Sequence, residues 1–212
     1  VAAEIGTLVV AGWAGRDEAA VQHHIDELAS LGVPPPSSVP VFYRCAASVL
    51  TQTTRLQVLG GATSGEVEPV LVAFADGMWV GLGSDHTDRE AEANGIARSK
   101  QLCGKVVGQN LWRLEDVLPH WDELVLTADI VIDGARMRYQ HGALSALRRP
   151  EELMALWGGG DVLPSGTVMF CGTLGAMGGI RPAERFEMEL TDPVLKRSIT
   201  HAYDIEALPI VS

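Results

Sequence analysis

The chain has 212 residues, of which 47% are hydrophobic and 20% charged, a composition typical of a folded globular protein and unlike that of a long disordered chain. Its formal net charge of -11 disfavours general nucleic-acid binding and attraction to anionic membranes, because both require a basic surface. The length corresponds to one domain or two small ones, and the acidic balance is compatible with cation binding.

At the N-terminus, a strand pattern is followed by a helix pattern. Residues 8–12 form a short apolar run that predicts a buried strand, and residues 16–31 have apolar side chains at helical spacing. Gly32 supplies a helix end, and the Pro-rich residues 34–38 form a stiff connector. We therefore expect a small N-terminal α/β segment over residues 1–38.

The remaining residues, 39–212, form short apolar runs separated by Gly, Pro, Asp and Ser, which is typical of a β-rich domain. Strands are predicted at residues 39–43, 66–74, 78–82, 123–132, 167–171 and 185–190. A tight turn at residues 75–77 predicts a hairpin, and helices are predicted at residues 89–101 and 150–157. The predicted fold class is therefore α+β and β-rich.

The cysteines and the apolar segments bear on the cellular compartment. Cys45, Cys103 and Cys171 lie far apart without a CxxC pair, which favours reduced thiols over a disulfide framework. The apolar stretch at residues 8–13 is too short to span a membrane and lacks a basic flank for export. We therefore expect a cytoplasmic protein.

Two glutamates at the start of a predicted strand are the first candidates for a metal site. Alternate side chains of a strand share a face, so Glu66 and Glu68 point the same way. A solvated edge is the commoner explanation of such a pair, but a second acidic cluster, residues 83–90, follows the next strand. Asp85 in this cluster is either a hard oxygen ligand for Mg²⁺ or Mn²⁺ or only a helix N-cap.

A histidine and a glutamate of the N-terminal helix form a candidate general base. His24 and Glu27 lie at positions i and i+3 beside the apolar stripe, whereas His23 falls on the solvent side. A carboxylate next to an imidazole makes a usable base, but surface pairs of this kind are common without any function.

A glycine-rich loop at residues 170–175 follows another predicted strand. Its backbone N–H groups and the hydroxyl of Thr173 can bind an anion, or the loop is an ordinary turn. The sequence contains no Walker loop, no GxGxxG after a strand and no GxSxG elbow, so nucleotide-binding and serine-hydrolase functions have no support.

Taken in chain order, these patterns resemble the fumarylacetoacetate hydrolase family over about residues 9–190, in the form of a short bacterial-type member. The segments that resemble family motifs are residues 24–27, 34–36, 39–44, 66–69, 84–90, 99–100, 126–134 and 172–174. Three residues depart from the family pattern, because Arg44 replaces a lysine, Leu174 a proline and Glu92 a glutamine. An acid at position 92 repels a carboxylate-bearing substrate unless it is protonated or paired.

The resemblance implies a mixed β-roll with peripheral helices over residues 39–212 and a definite set of site residues. The implied metal ligands are Glu66, Glu68 and Asp85 for one Mg²⁺ or Mn²⁺, the catalytic residues are His24, Glu27 and Lys100, and the substrate-binding residues are Arg44, Arg89, Glu92, Gly172 and Thr173. The implied partners are a small-molecule carboxylate substrate and a second copy of the chain in a homodimer, without nucleic acid or membrane.

The reaction implied by the resemblance is hydrolysis of a C–C bond in a β-diketo acid, an acylpyruvate-like compound, through a metal-stabilised enolate. Decarboxylation, hydration, dehydration or isomerisation of a 2-oxo acid uses the same enolate, and the sequence does not choose among these reactions. If the acidic clusters are only structural, the chain is instead a non-catalytic binding or assembly protein. Convergence of Glu66, Glu68 and Asp85 around one point distinguishes the two classes.

Overall fold

The computed structural model describes residues 4–30 and 35–211, except for the side chains of His24, Glu27, Leu28 and Ser30. The strands in these ranges are β1 (Thr7–Gly12), β2 (Val41–Cys45), β3 (Leu50–Thr51), β4 (Arg55–Leu59), β5 (Thr63–Ser64), β6 (Val67–Phe74), β7 (Gly77–Ser84), β8 (Thr87–Asp88), β9 (Lys105–Val107), β10 (Trp112–Arg113), β11 (Val125–Ile132), β12 (Ala135–Ala143), β13 (Thr167–Phe170), β14 (Arg185–Asp192) and β15 (Arg197–Leu208). The α-helices are α1 (Glu18–Ser30), α2 (Arg89–Glu92), α3 (Ile96–Leu102), α4 (Leu114–Val117) and α5 (Pro150–Gly158). Short 3₁₀ turns lie at Ala47–Val49, Leu118–Glu123 and Leu144–Ala146.

Two sheets make up most of the fold. The larger has eight strands in the order β2-β1-β13-β6-β7-β9-β3, with β10 also paired to β7, and the smaller has the order β12-β11-β14-β15-β4. Strands β5 and β8 form a separate two-stranded pair. The predicted β-rich α+β fold with peripheral helices is confirmed, and each predicted strand has a counterpart.

The N-terminal strand is hydrogen-bonded directly into the larger sheet. Strand β1 lies between β2 and β13, antiparallel to the first and parallel to the second. The division of the chain at residue 38 stays a prediction. Among the described residues, no helix combines the length and the apolar composition that crossing a membrane requires.

The hairpin of β6 and β7 is the element that positions the acidic residues. Its two-residue turn closes between Phe74 and Gly77, as the sequence predicts. Alternation along β6 buries Val67 and Leu71 in the main core and turns Val70 toward a second apolar cluster on the opposite face. Glu68 shares the face of Val70, because the two are separated by two positions in the strand.

The prediction of one continuous helix at residues 89–101 is wrong. Two short helices replace it, α2 and α3, and the break falls at Gly95, whose φ of 146° is outside the helical range. The break separates Arg89, at the start of α2, from Lys100, near the end of α3, and both side chains still reach the same acidic cluster.

Candidate metal centre

Three carboxylates converge at the open end of the β6–β7 hairpin. Glu66 precedes β6, Glu68 is its second residue and Asp85 follows β7, and the backbone N–H of Asp85 donates to the Glu66 carbonyl at 2.9 Å. Each of the three offers an oxygen within 4.8 Å of the other two. Glu68 and Asp85 are buried, whereas Glu66 is half-buried, so the cluster has one side open to solvent.

Two lysines contact the Asp85 carboxylate, one on each oxygen. Lys100 pairs with Oδ2, and its Nζ lies 3.7 Å from Oε2 of Glu66. Lys105 lies 2.8 Å from Oδ1 and donates to the His86 carbonyl at 2.5 Å, with its side chain fully buried. A buried ammonium is tolerated only when it is paired, so both lysines depend on Asp85.

The pKa shifts follow from burial and from these pairs. Burial favours the neutral form of Asp85, but the two lysines outweigh it and lower the pKa of Asp85 to about 2. Burial also disfavours the charged form of Lys100, yet the surrounding carboxylates, Asp85 first, raise the pKa of Lys100 above its usual value. Asp85 and Lys100 therefore stay charged at neutral pH.

Glu68 is the carboxylate whose charge is least compensated. Burial, and then the negative charge of Asp85, raise the pKa of Glu68 well above its ordinary value of 4.5, and the charge of Lys100 and the N–H of Gly172 offset only part of this. A divalent cation bound by the three carboxylates would supply the missing positive charge, and hard oxygen donors are what Mg²⁺ and Mn²⁺ prefer. The donor set thus fits a hard divalent metal.

Arg89 and Glu92 form an ion pair at the edge of the cluster. The Arg89 guanidinium contacts Glu92 Oε2 at 2.9 Å and Glu66 Oε1 at 3.2 Å, and its Nε donates to Ser64 Oγ at 2.7 Å. Because Glu92 is paired, its charge does not face the cluster uncompensated. The repulsion expected from an acid at this position is therefore reduced by Arg89.

The glycine-rich loop is hydrogen-bonded to β6, which we call the carboxylate strand because Glu68 lies on it and Glu66 directly precedes it. Gly172 N–H donates to Oε2 of Glu68 at 2.7 Å, and the Thr173 hydroxyl donates to the Val67 carbonyl at 2.8 Å. The sequence suggests an anion-binding loop, and the anion that the Gly172 N–H contacts in the structure is the Glu68 carboxylate.

Replacing Gly172 by alanine is expected to destabilise the fold and weaken the hold on Glu68. Gly172 has a φ of 96°, and an added Cβ would lie 2.7 Å from the Cβ of Ala14. Strain of this kind costs about 1–3 kcal/mol. Gly175→Ala is the matched control, because its added Cβ meets no described heavy atom within 4 Å. Thermal melts of both variants test this, and equal melting temperatures would contradict it.

Of the residues implied by the resemblance, Arg44 is not brought to the cluster, and two others have side chains that the structure does not describe. Arg44 is exposed on β2, and its neighbour Tyr43 is the side chain whose ring lies 5.8 Å from Lys100 Nζ. The side chains of His24 and Glu27 lie outside the described residues, although α1, which carries them, is present. Their role as a general base stays a prediction.

Sequence reasoning missed several polar residues buried beside the cluster. Lys105 could have been found, because it is a charge in the otherwise apolar stretch of β9. His86 is buried between the Tyr203 hydroxyl and Thr63 Oγ1, each at 2.9 Å, and burial followed by Lys105 and Arg89 lowers its pKa to about 3. This histidine is therefore neutral and structural, and no local pattern pointed to its partners.

The fold is shared with solved structures of other proteins. A structure of Cg1458 with inhibitor has a TM-score of 0.69 and 15% identity, covering 97% of this chain and 78% of that chain. 2-Keto-3-deoxy-D-arabinonate dehydratase complexed with magnesium and 2,5-dioxopentanoate has a TM-score of 0.65 and 15% identity, covering 98% of this chain and 75% of that chain. At this identity the likeness establishes the fold.

The chain belongs to the family described as protein of unknown function (DUF2848), whose sequence profile matches residues 11–203. No curated protein matches the sequence. The matched range includes the three carboxylates, both lysines and the glycine-rich loop, so the cluster lies wholly within the family's characteristic region.

Proposed function

We propose that this protein is a divalent-metal-dependent enzyme of the fumarylacetoacetate hydrolase superfamily that acts on a 2-oxo acid. The observation that carries the proposal is the convergence of Glu66, Glu68 and Asp85 within 4.8 Å of one another. The likeness in fold to a dehydratase solved with magnesium and 2,5-dioxopentanoate supports it. Lysine and arginine side chains already compensate Asp85 and Glu66. Buried Glu68 has no ion pair among the described residues, and a divalent cation would supply the positive charge that it lacks, which favours a binding site over a purely structural cluster.

The residues around the carboxylates have separate tasks in this proposal. Held by Glu66, Glu68 and Asp85, Mg²⁺ or Mn²⁺ would supply Lewis-acid chemistry at a substrate oxygen. Lys100 and Arg89 supply the positive charge that holds a substrate carboxylate. We assign the proton-transfer step to His24 with Glu27, which lie one helical turn apart on α1.

Two reactions are proposed, in order. The first is hydrolysis of a C–C bond in an acylpyruvate-like β-diketo acid, which the resemblance of the motifs favours. The second is dehydration of a 2-keto-3-deoxy acid, which the likeness to 2-keto-3-deoxy-D-arabinonate dehydratase supports equally well. Both need a metal-bound 2-oxo acid, and they differ in the bond that breaks next.

Turnover assays with metal-stripped protein test the function. Acylpyruvates and 2-keto-3-deoxy acids are incubated with the protein in EDTA, Mg²⁺ or Mn²⁺, and pyruvate or the dehydrated oxo acid is quantified. Formation of either product only in the presence of metal supports the proposal. No product from either class, together with no effect of metal on the melting temperature, would favour a non-catalytic protein.

His24→Ala is expected to lower turnover by about 100-fold or more while leaving metal affinity unchanged, because general acid–base groups contribute on this scale and are not ligands. His23→Ala is the matched control, since His23 is exposed on the same helix. Turnover is compared at saturating Mn²⁺. Equal turnover of the two variants would show that His24 is not the base.

The homodimer implied by the resemblance is also part of the proposal. Light scattering of the metal-loaded protein measures the mass directly against the chain mass of 22.6 kDa. A mass of one chain would contradict the homodimer but would not bear on the proposed metal site.

A further inference from the structure

An irregularity in the smaller sheet aims a glutamine at the candidate metal centre. In the β11–β12 ladder Ala128 pairs with Gln140 and Asp129 pairs with Arg138, so Tyr139 has no partner across the ladder. This β-bulge lets the successive residues Tyr139 and Gln140 both turn inward, and each is only 1% exposed. In a regular strand one of the two would face outward.

The side chain of Gln140 joins the two segments that form the centre. Its Oε1 accepts the Val67 N–H at 2.9 Å, and Val67 lies between Glu66 and Glu68. Its Nε2 donates to Thr173 Oγ1 at 2.8 Å and to the Leu174 carbonyl at 2.5 Å. One amide therefore contacts the carboxylate strand with its oxygen and the glycine-rich loop with its nitrogen.

These contacts suit an amide and few other groups. An amide end presents an acceptor and two donors together, whereas a carboxylate has no donor and an ammonium has no acceptor. All three bonds are made in a buried setting, where leaving one partner unsatisfied is costly. Gly172, whose N–H donates to Glu68, belongs to the same loop. Loosening the loop therefore changes the position of a candidate metal ligand.

We propose that Gln140 is a positioning residue of the metal centre. It fixes the loop at residues 172–174 against the carboxylate strand, so that both segments are correctly placed when a 2-oxo acid binds the metal. This inference rests on the proposed function. Partners that orient metal ligands typically change metal affinity or activity by about 10–100-fold when removed.

Gln140→Met tests the inference, because methionine keeps the length of the side chain and removes its hydrogen bonds. The readouts are Mn²⁺ affinity and then oxalate affinity of the Mn²⁺-loaded protein, with oxalate as a mimic of a planar 2-oxo acid. We expect oxalate binding weaker by at least about tenfold. Gln57→Met is the matched control, since Gln57 is exposed on β4 and bonds to Glu206.

The outcomes separate the inference from the proposed function. Wild-type protein that binds neither Mn²⁺ nor oxalate contradicts the proposed function itself. Wild-type binding together with oxalate affinity of Gln140→Met within about twofold of Gln57→Met overturns only the role of Gln140. If Gln140→Met fails to fold in EDTA, Gln140→Asn replaces it, because it adds no charge and its amide, one methylene shorter, cannot reach Val67 and the loop at residues 172–174 together. Unchanged oxalate affinity in that variant also overturns the inference.

Discussion

Glu68→Gln is expected to abolish metal binding while stabilising the metal-free protein. Glu68 is buried beside the charged Asp85, and the same surroundings raise its pKa, so Glu68 costs folding free energy in the metal-free protein whether it stays ionised or takes up a proton. A neutral amide keeps an oxygen for the Gly172 N–H and needs neither a buried charge nor the uptake of a proton. The variant should therefore melt higher than wild type in EDTA and lose the rise that Mn²⁺ gives wild type.

The order of the two melting temperatures is expected to reverse: Glu68→Gln should melt above wild type in EDTA and below it in Mn²⁺. A gain of about 1 kcal/mol corresponds to about 2–4 °C for a chain of this size, which a thermal melt resolves. Glu189→Gln is a suitable control, because Glu189 is half-buried on β14 in the smaller sheet. A Glu68→Gln variant that still gains stability from Mn²⁺ would remove Glu68 from the ligand set.

Asp85→Asn is expected to cause the largest loss of stability. Asp85 is the counter-charge of both Lys100 and Lys105, and Lys105 is fully buried. Removing one partner of a buried ion pair costs about 3–5 kcal/mol, because the other charge is left without compensation. We expect the variant to be largely unfolded, or to melt about 10 °C below wild type, in EDTA.

An exposed aspartate supplies the control for this prediction. Asp76 pairs with Arg113 at 3.0 Å on the surface, and Asp76→Asn should change stability by less than about 1 kcal/mol. Melts of both variants in EDTA exclude any contribution from metal. Asp85→Asn melting within about 2 °C of wild type would contradict the view that the two lysines depend on Asp85.

The sequence predicts the strands that alternate or are continuously apolar, and it misses those with mixed polar faces. Strands β6 and β7 are apolar on both faces because both faces are buried, and they are predicted close to their observed bounds. Strand β12 has a charged outer face with Arg136 and Arg138, which pair with Asp129 across the ladder. Such a strand has no apolar run in the sequence, and its strand conformation is explained only by its pairing in the folded sheet.

The candidate site is predictable where the ligands come from adjacent strands. Pairing of β6 with β7 in a hairpin places the start of β6 beside the end of β7, so the acidic residues at these two positions are brought together by local structure alone. The contacts of Gln140 depend on a β-bulge and on packing of one sheet against the other, and Gln140 lies 73 positions after Val67 in the chain. No local pattern encodes a contact of that kind.

Calorimetric titration of the metal-stripped wild-type protein, first with Mn²⁺ and then with oxalate, together with an oxalate titration in EDTA, tests the metal centre itself. In the proposed function, Glu66, Glu68 and Asp85 hold one divalent cation that in turn binds a 2-oxo acid. We therefore expect one Mn²⁺ per chain, and oxalate binding only after Mn²⁺ is loaded. Absence of Mn²⁺ binding, or oxalate binding that is equally strong in EDTA, would contradict it.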